Sequence, residues 1–219
     1  MKKKHFVQVV LFPVMIIFLL SLVKSNMLYA NPEKPKKKKS LKTPLNSKEK
    51  ELRRLINDIR KKNDLPSIPV TKSLTLVARL HVRDLHHNHP DTGTDSRGME
   101  CNLHSWSEKG KWTPVCYTSD HNYASKMWSK PKEITNNKYT GNGYEIAYIC
   151  SGADATPSGA LESWKNSQDH LDVILERGTW TNRKWPAMGV GIYKEYAVVW
   201  FGDKEDPSGK VPDKKKKGT

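Results

Sequence analysis

The sequence predicts an α+β fold in which helices come first and a pair of antiparallel strands closes the domain. Two observations carry this prediction. Apolar residues recur at helical spacing in three separate segments. Near the end of the domain, two apolar runs, 187–193 and 196–202, are separated by only Lys194 and Glu195, which suits a hairpin turn. The domain spans about 160 residues, 47–206, a length that suits a single core.

Residues 1–30 have the pattern of a secretory signal peptide. Three lysines near the start precede an apolar stretch from Phe6 to Val23, and the segment ends at Ala30, a small residue suited to cleavage. The apolar stretch is almost long enough to span a bilayer, so a retained membrane anchor is the alternative. Cleavage would leave a secreted or periplasmic protein.

Two basic segments flank the domain. The chain carries a net charge of +15, and removal of residues 1–30 would leave +11. Much of this charge lies in a predicted disordered linker, 31–46, and a predicted disordered tail, 207–219. We expect both to attract an anionic cell-envelope surface. The runs contain no interleaved aromatic residues, so no specific nucleic-acid function is expected.

Two helices are predicted in the first part of the domain. The first covers residues 47–62 and has Ser47 as its cap, and its apolar stripe is formed by Leu52, Leu55, Ile56 and Ile59. Two prolines in "LPSIPV" then break the helix. The second helix covers residues 73–86. Its core-facing stripe includes His81, which we interpret as a core residue with satisfied hydrogen bonds.

The stretch 87–143 is irregular and rich in turn residues, so we expect it to be functional or tied by a disulfide. Cys101 and Cys116 could close a short loop within it. That pairing would leave Cys150 as a small buried hydrophobe, but the sequence alone does not fix the pairing.

Two further helices are expected. A short helix over residues 120–129 would be capped by Asp120. A longer helix over residues 159–177, "GALESWKNSQDHLDVILER", has a broad apolar side and would end at Gly178.

One acid, Glu145, lies in the apolar run "GYEIAY". A buried carboxylate is costly unless it is paired, so partners are expected elsewhere in the chain. Histidines are the obvious candidates. The tract "HHNHP" at 86–90 has no fixed metal-binding spacing and is interpreted as exposed. His104 in "CNLHSWS" and His170, beside the apolar face of its helix, are better candidates, whereas His121 in "SDHNY" has no such context. The alternative is that Glu145 caps a helix or pairs with a surface lysine.

Four segments, in order, resemble the CAP superfamily of cysteine-rich secretory proteins, antigen 5, plant pathogenesis-related proteins and bacterial SCP-like extracellular proteins. They are "ARLHVRDL", "CNLHSWS", "GYEIAY" and "SWKNSQDHLDVILERGTW" with the terminal strands. The last is the most specific, because the bacterial Trp-x-x-Ser-x-x-His helix, its spacing and the strand pair all agree. The resemblance covers about residues 47–202.

The chain departs from the family pattern in three places. Ile146 stands where the family has an Asn after the glutamate. About forty residues separate His104 from Glu145, which indicates an insertion. Ser167 occupies the position of the second glutamate of eukaryotic members, so the cluster of two histidines and two glutamates is incomplete.

The resemblance implies a three-layer α-β-α sandwich with a small antiparallel sheet and a cleft that gathers His104, Glu145 and His170. These three are the candidate catalytic residues. Glu145 would accept a hydrogen bond from one imidazole and fix its tautomer. His104 and His170 are the candidate metal ligands, with Zn²⁺ as the expected divalent ion.

These features favour an exported domain whose cleft binds a small molecule, lipid or peptide, with help from a divalent metal. One alternative is a metal-assisted hydrolase of an envelope polymer or peptide. A metal-free hydrolase would instead use Ser105 or Ser167 as its nucleophile. A further alternative is an interaction protein attached to the cell surface through its basic segments.

Overall fold

The computed structural model describes residues 44–212. The predicted signal peptide, nearly all of the linker and the last seven residues lie outside this range. A three-stranded antiparallel sheet forms the centre, with β1 at Gly143–Ile149, β2 at Ala187–Tyr193 and β3 at Tyr196–Gly202 in the order β1-β3-β2. The helices are α1 Ser47–Lys61, α2 Lys72–Asn88, α3 Ala124–Trp128, α4 Lys130–Ile134, α5 Pro157–Lys165 and α6 Gln168–Leu175. A 3₁₀ turn follows at Gly178–Trp180.

The two faces of the sheet belong to two different apolar clusters, which confirms the three-layer α+β prediction. Because side chains alternate along a strand, Val198 and Trp200 of β3 face α2, whereas Val199 and Phe201 face α1, α5 and α6. The sequence predicted the β2–β3 hairpin, and the two-residue turn is present with Lys194 in the left-handed region. The structure adds β1 as a third strand, paired with β3.

Two glycines of β2 set how closely α2 approaches the sheet. A Cβ atom on Gly189 would lie 2.0 Å from the carbonyl carbon of Leu74, and one on Gly191 would lie 2.6 Å from the carbonyl oxygen of Ala78. Only residues without a side chain fit there, so the helix backbone rests directly on the strand. This contact fixes the part of α2 that carries His81.

The first helix begins as predicted at Ser47, but its cap is Asn46. The Asn46 side chain accepts a hydrogen bond from the Glu49 amide at 2.9 Å, and the Glu49 carboxylate accepts one from the Asn46 amide at 2.9 Å. This reciprocal capping box satisfies two backbone donors, which Ser47 could not do from inside the helix. Leu45 is buried, so the last residues assigned to the linker take part in the fold.

The described part of the predicted tail also contacts the domain. The Gly209 carbonyl accepts a hydrogen bond from the Lys72 amide at 3.0 Å, and the Val211 amide donates to the Val70 carbonyl at 3.0 Å. These bonds place residues 207–212 across the start of α2. Within residues 44–212, no helix has both the length and the apolar character needed to cross a membrane.

The prediction of a single helix over residues 159–177 is wrong, because the structure has two helices there, α5 and α6. Ser167 lies between them with extended dihedrals (φ −116°, ψ 116°). Asn166 and Ser167 are polar residues that favour helix ends over helix interiors, so a boundary here is consistent with their chemistry. The end differs as well, since α6 stops at Leu175 and Glu176 adopts the left-handed conformation expected of Gly178.

The irregular stretch contains the expected disulfide between Cys101 and Cys116, and Cys150 is free and half-buried. The short helix is present as α3, but Asp120 does not cap it. The helix begins only at Ala124, and Asp120 accepts hydrogen bonds from the Arg97 guanidinium at 2.6 Å, the Thr118 hydroxyl at 2.6 Å and the Asn122 amide at 3.2 Å.

Candidate functional site

The carboxylate of Glu145 lies inside the molecule. Glu145 is the third residue of β1 and pairs with Trp200 across the sheet. Its side chain points into the layer between β1 and α2 and is 0% exposed. The alternative in which Glu145 caps a helix or pairs with a surface lysine is therefore wrong, and the expectation of partners from distant segments is confirmed.

Two imidazoles bind this carboxylate, one to each oxygen. The Nδ1 atom of His81 lies 2.5 Å from Glu145 Oε1, and the Nδ1 atom of His104 lies 2.9 Å from Oε2. The sequence predicted a bond from a single imidazole. In the structure His104 binds Glu145 as expected, and His81 of α2 binds it as well. The carboxylate therefore links α2 to the loop that carries His104.

The environment of His81 makes it the cationic partner of Glu145. Burial alone would lower the pKa of His81, but the charge of Glu145, its hydrogen bond and the Ser105 carbonyl raise it above the ordinary value. Burial would likewise raise the pKa of Glu145, but the charge of His81 and the bonds from both imidazoles hold it below the usual range. The two groups therefore form a buried ion pair.

The loop that carries His104 is held in place by its own polar groups. The Asn102 side chain accepts a hydrogen bond from the His104 amide at 3.0 Å, and the ring of Tyr117 packs edge-on at 5.4 Å between centroids. The disulfide anchors the same loop at Cys101. Because Nδ1 is engaged with Glu145, Nε2 is the ring nitrogen of His104 that another partner could use.

The third candidate residue, His170, is near this pair without touching the acid. Its Nδ1 atom lies 2.8 Å from the Ser167 hydroxyl, and no hydrogen bond joins it to Glu145 among residues 44–212. Burial lowers the pKa of His170, and repulsion from His104 lowers it further despite the nearby Asp169. His170 is therefore neutral at pH 7 and lies within electrostatic reach of His104.

Imidazole nitrogens are chemically suited to a borderline divalent ion such as Zn²⁺ when the rings are neutral, and the Nδ1 atoms of His104 and His170 are the ones that already have protein partners. Glu145 is 0% exposed and each of its oxygens binds an imidazole, so its role here is to orient the rings. No group of three or more His, Cys, Asp or Glu side chains within the described range has metal-binding geometry. His104 and His170 would supply two protein ligands to such an ion, and water or a bound ligand would fill its other positions.

Sequence reasoning placed His81 correctly in the core but missed its connection to the site. The available signal was the pairing requirement itself, because a histidine in an apolar stripe and an acid in an apolar strand both need partners. In the tract at 86–90, His87 and His89 are exposed as predicted. His86 is half-buried and binds Glu195 at 3.0 Å.

The comparisons with known proteins identify the family. The family described as CAP, the cysteine-rich secretory protein family, matches residues 53–198, more than half of the chain. The chain therefore belongs to the CAP family. No curated protein matches it.

Two solved structures show a partial structural similarity to this chain. An outer surface protein from Borrelia burgdorferi is 17% identical with a TM-score of 0.44, and the match covers 74% of this chain and 98% of that one. A cysteine-rich secretory protein from Staphylococcus aureus subsp. aureus Mu50 is 16% identical with a TM-score of 0.44, and the match covers 74% of this chain and 40% of that one. The family assignment rests on the family match.

Proposed function

We propose that this protein is an exported CAP-domain binding module whose cleft, formed by His104 and His170, holds a ligand through a divalent metal such as Zn²⁺. The main support is the bond between His104 Nδ1 and the buried Glu145 at 2.9 Å. That bond fixes the tautomer in which Nε2 is available to a metal, an arrangement that proteins use to orient histidine ligands.

His170, within electrostatic reach of His104, supports the same proposal. Its lowered pKa keeps the imidazole neutral, which is the form that binds metals. Ser167 replaces the second acid and bonds Nδ1, so it orients the ring without adding a negative charge. A bound metal would supply Lewis acidity for a carbonyl, carboxylate or phosphate group of the ligand.

The ligand class that suits this cleft is a small molecule, lipid or peptide with an oxygen donor. Export would follow from the signal-peptide pattern of residues 1–30. The basic segments beyond the described domain would attract an anionic envelope surface and so hold the cleft near it.

A hydrolase that uses serine finds less support. Ser105 is 0% exposed, and its hydroxyl accepts a hydrogen bond from the Tyr117 amide at 2.9 Å, so it cannot meet a substrate. Ser167 does contact an imidazole, but the lowered pKa of His170 makes that ring a weaker base than an ordinary histidine.

Zinc binding by the purified domain, measured by calorimetry at pH 7.5, tests the proposal. We expect His104→Ala and His170→Ala each to abolish binding, because either change leaves one protein ligand. His87→Ala is the matched control, since His87 is an exposed histidine outside the cleft, and it should bind normally. Affinity should fall as the pH drops below 6.5, the ordinary pKa of imidazole.

The opposite pattern would overturn the metal site. Binding that survives both cleft substitutions but is lost in His87→Ala would place the metal at the 86–90 tract. Flat affinity between pH 8 and pH 5 would exclude histidine ligands. Hydrolysis of peptides or peptidoglycan fragments with zinc present, lost in His104→Ala, would establish an enzyme in place of a binding module.

A further inference from the structure

A small cavity beside the loop that carries His104 lies outside the proposed metal site. We propose that this cavity binds the amino terminus of a peptide, with the ammonium group on Glu100 and Ser119 and the neighbouring carbonyl oxygen on Asn102. Binding at the cavity does not require the metal. The inference rests on the proposed function only for its consequence, which is to narrow the ligand to a peptide.

The cavity has the size and the mixed surface of a small-ligand site. Its volume is about 340 Å³, at the lower end of the range of roughly 300–1,000 Å³ for ligand pockets. It is lined by Met99, Glu100, Cys101, Asn102 and Ser119. The thioether and the disulfide sulfur give it apolar surface, whereas the other three side chains are polar. A ligand there would meet both kinds of surface.

The polar side chains of the cavity have hydrogen-bonding groups to spare. Within residues 44–212, neither the Glu100 carboxylate nor the Ser119 hydroxyl has a hydrogen bond or ion pair with another residue. The Asn102 side-chain oxygen accepts from the His104 amide at 3.0 Å, so its nitrogen is the group left for a ligand. The cavity therefore offers two acceptors and one donor. A peptide amino terminus, an ammonium group beside a carbonyl oxygen, matches this set.

The charged groups next to the cavity favour a cation. Asp120 follows Ser119 in the chain, and Arg97 binds both Asp120 at 2.6 Å and Asp95 at 2.8 Å. One guanidinium is thus shared by two carboxylates, so these three groups carry a net negative charge, and Glu100 adds a second. The chain as a whole carries +15. A negative cavity in a basic protein attracts an ammonium group and disfavours an anion.

The wall of the cavity is held in place by covalent and backbone bonds. The disulfide ties Cys101 to Cys116, and the Asn102 amide donates to the Tyr117 carbonyl at 2.9 Å. Because the wall is already ordered, a ligand would lose little of its binding energy to ordering the protein. The bond from the His104 amide to Asn102 also joins this wall to the candidate site, so a peptide held here would begin close to His104.

Titration of the ¹⁵N-labelled protein with triglycine in EDTA, followed by amide NMR, tests the proposal. A pH of 6.5 keeps the peptide amine charged, since its ordinary pKa is about 7.7–8.0. We expect shifts at residues 99–102 and 119. N-acetyl-triglycine, which lacks the ammonium group, should bind at least about tenfold more weakly, because a charge-assisted hydrogen bond is lost. n-Butylamine, which has the ammonium group without the carbonyl, should also bind more weakly than triglycine.

Glu100→Gln keeps the size of the side chain and removes its charge. It should weaken triglycine binding by about tenfold or more, for the same reason as acetylation. Glu205→Gln is the matched control, because Glu205 is an exposed acid that does not line the cavity. It makes the same change in net charge and should leave triglycine affinity unchanged.

Four results would overturn the inference. Triglycine could fail to bind at millimolar concentration, or it could shift only amides away from the cavity. Equal affinity for the acetylated peptide, or full affinity in Glu100→Gln, would show that the carboxylate does not hold an ammonium group. Binding of n-butylamine as tight as that of triglycine would exclude a peptide terminus as the ligand. Equal losses in Glu100→Gln and Glu205→Gln would reduce the effect to net charge. Because EDTA removes metal, all of these results are independent of whether zinc binds at His104 and His170.

Discussion

Removal of the charge on Glu145 should cost far more stability than removal of an equivalent charge at the surface. Both side chains of the His81–Glu145 pair are 0% exposed. Glu145→Gln leaves His81 either as an unpaired buried cation or as a neutral ring without its carboxylate. Loss of one partner of a buried pair costs about 3–5 kcal/mol of unfolding free energy.

The control is Glu195→Gln, which removes the carboxylate of the partly exposed His86 pair. Its two side chains are 27% and 26% exposed, and such pairs contribute about 0–1 kcal/mol. For a domain of this size about 1 kcal/mol shifts the melting temperature by about 2–4 °C, so Glu145→Gln should lower it by about 6–20 °C. The control should move it by no more than about 4 °C.

The unfolding free energy that Glu145→Gln removes should also depend on pH. The raised pKa of His81 contributes stability that is complete below the ordinary value of 6.5 and is lost as pH rises through the folded-state value. The lowered pKa of Glu145 contributes stability that is complete above 4.5 and is lost as pH falls through the folded-state value. Both contributions are therefore complete between pH 4.5 and 6.5.

Urea denaturation of the wild type and both variants at pH 5.5 and at pH 9 would measure this. The difference between wild type and Glu145→Gln should be larger at pH 5.5. Equal losses for Glu145→Gln and Glu195→Gln, or a loss that grows toward pH 9, would refute the assignment of a buried ion pair.

Two further predictions concern the scaffold. Replacement of both Cys101 and Cys116 by serine opens a loop with a sequence separation of 15 and should lower the unfolding free energy by about 3 kcal/mol in urea titrations. The control is Cys150→Ser, which removes a free cysteine and should lower the unfolding free energy much less. Equal effects of the two changes would contradict the pairing. Gly191→Ala would place a Cβ 2.6 Å from the Ala78 carbonyl oxygen and push α2 away from the sheet. It should lower the unfolding free energy by about 1–3 kcal/mol. An unchanged unfolding free energy would show that the close contact is absent.

Local patterns predicted most of the scaffold because they are properties of short segments. The apolar stripe of α1 and the two-residue connection between β2 and β3 needed no tertiary information. The break at Ser167 was missed because the apolar pattern continues across it. What fixes α5 separately is distant, since the Trp164 indole donates to the Ala147 carbonyl at 3.0 Å.

Only part of the candidate site could be predicted from the sequence, for a related reason. His104 and Glu145 were paired through their family motifs, and the structure joins them at 2.9 Å. His81 carries no local mark of function, because a histidine on a core-facing stripe has the same pattern whatever its partner. Only the packing of α2 on β2, allowed by the glycines at 189 and 191, brings that ring to the carboxylate.

In the function that we propose, His104 and His170 share one metal while Glu145 stays bound between His81 and His104. A zinc titration of the ¹⁵N-histidine-labelled domain at pH 7.5, followed by nitrogen NMR, tests it most directly. The Nε2 signals of His104 and His170 should shift together and saturate at one equivalent, with His81 unchanged. Shifts confined to His86, His87 and His89, or a shift of His104 without His170, would contradict it.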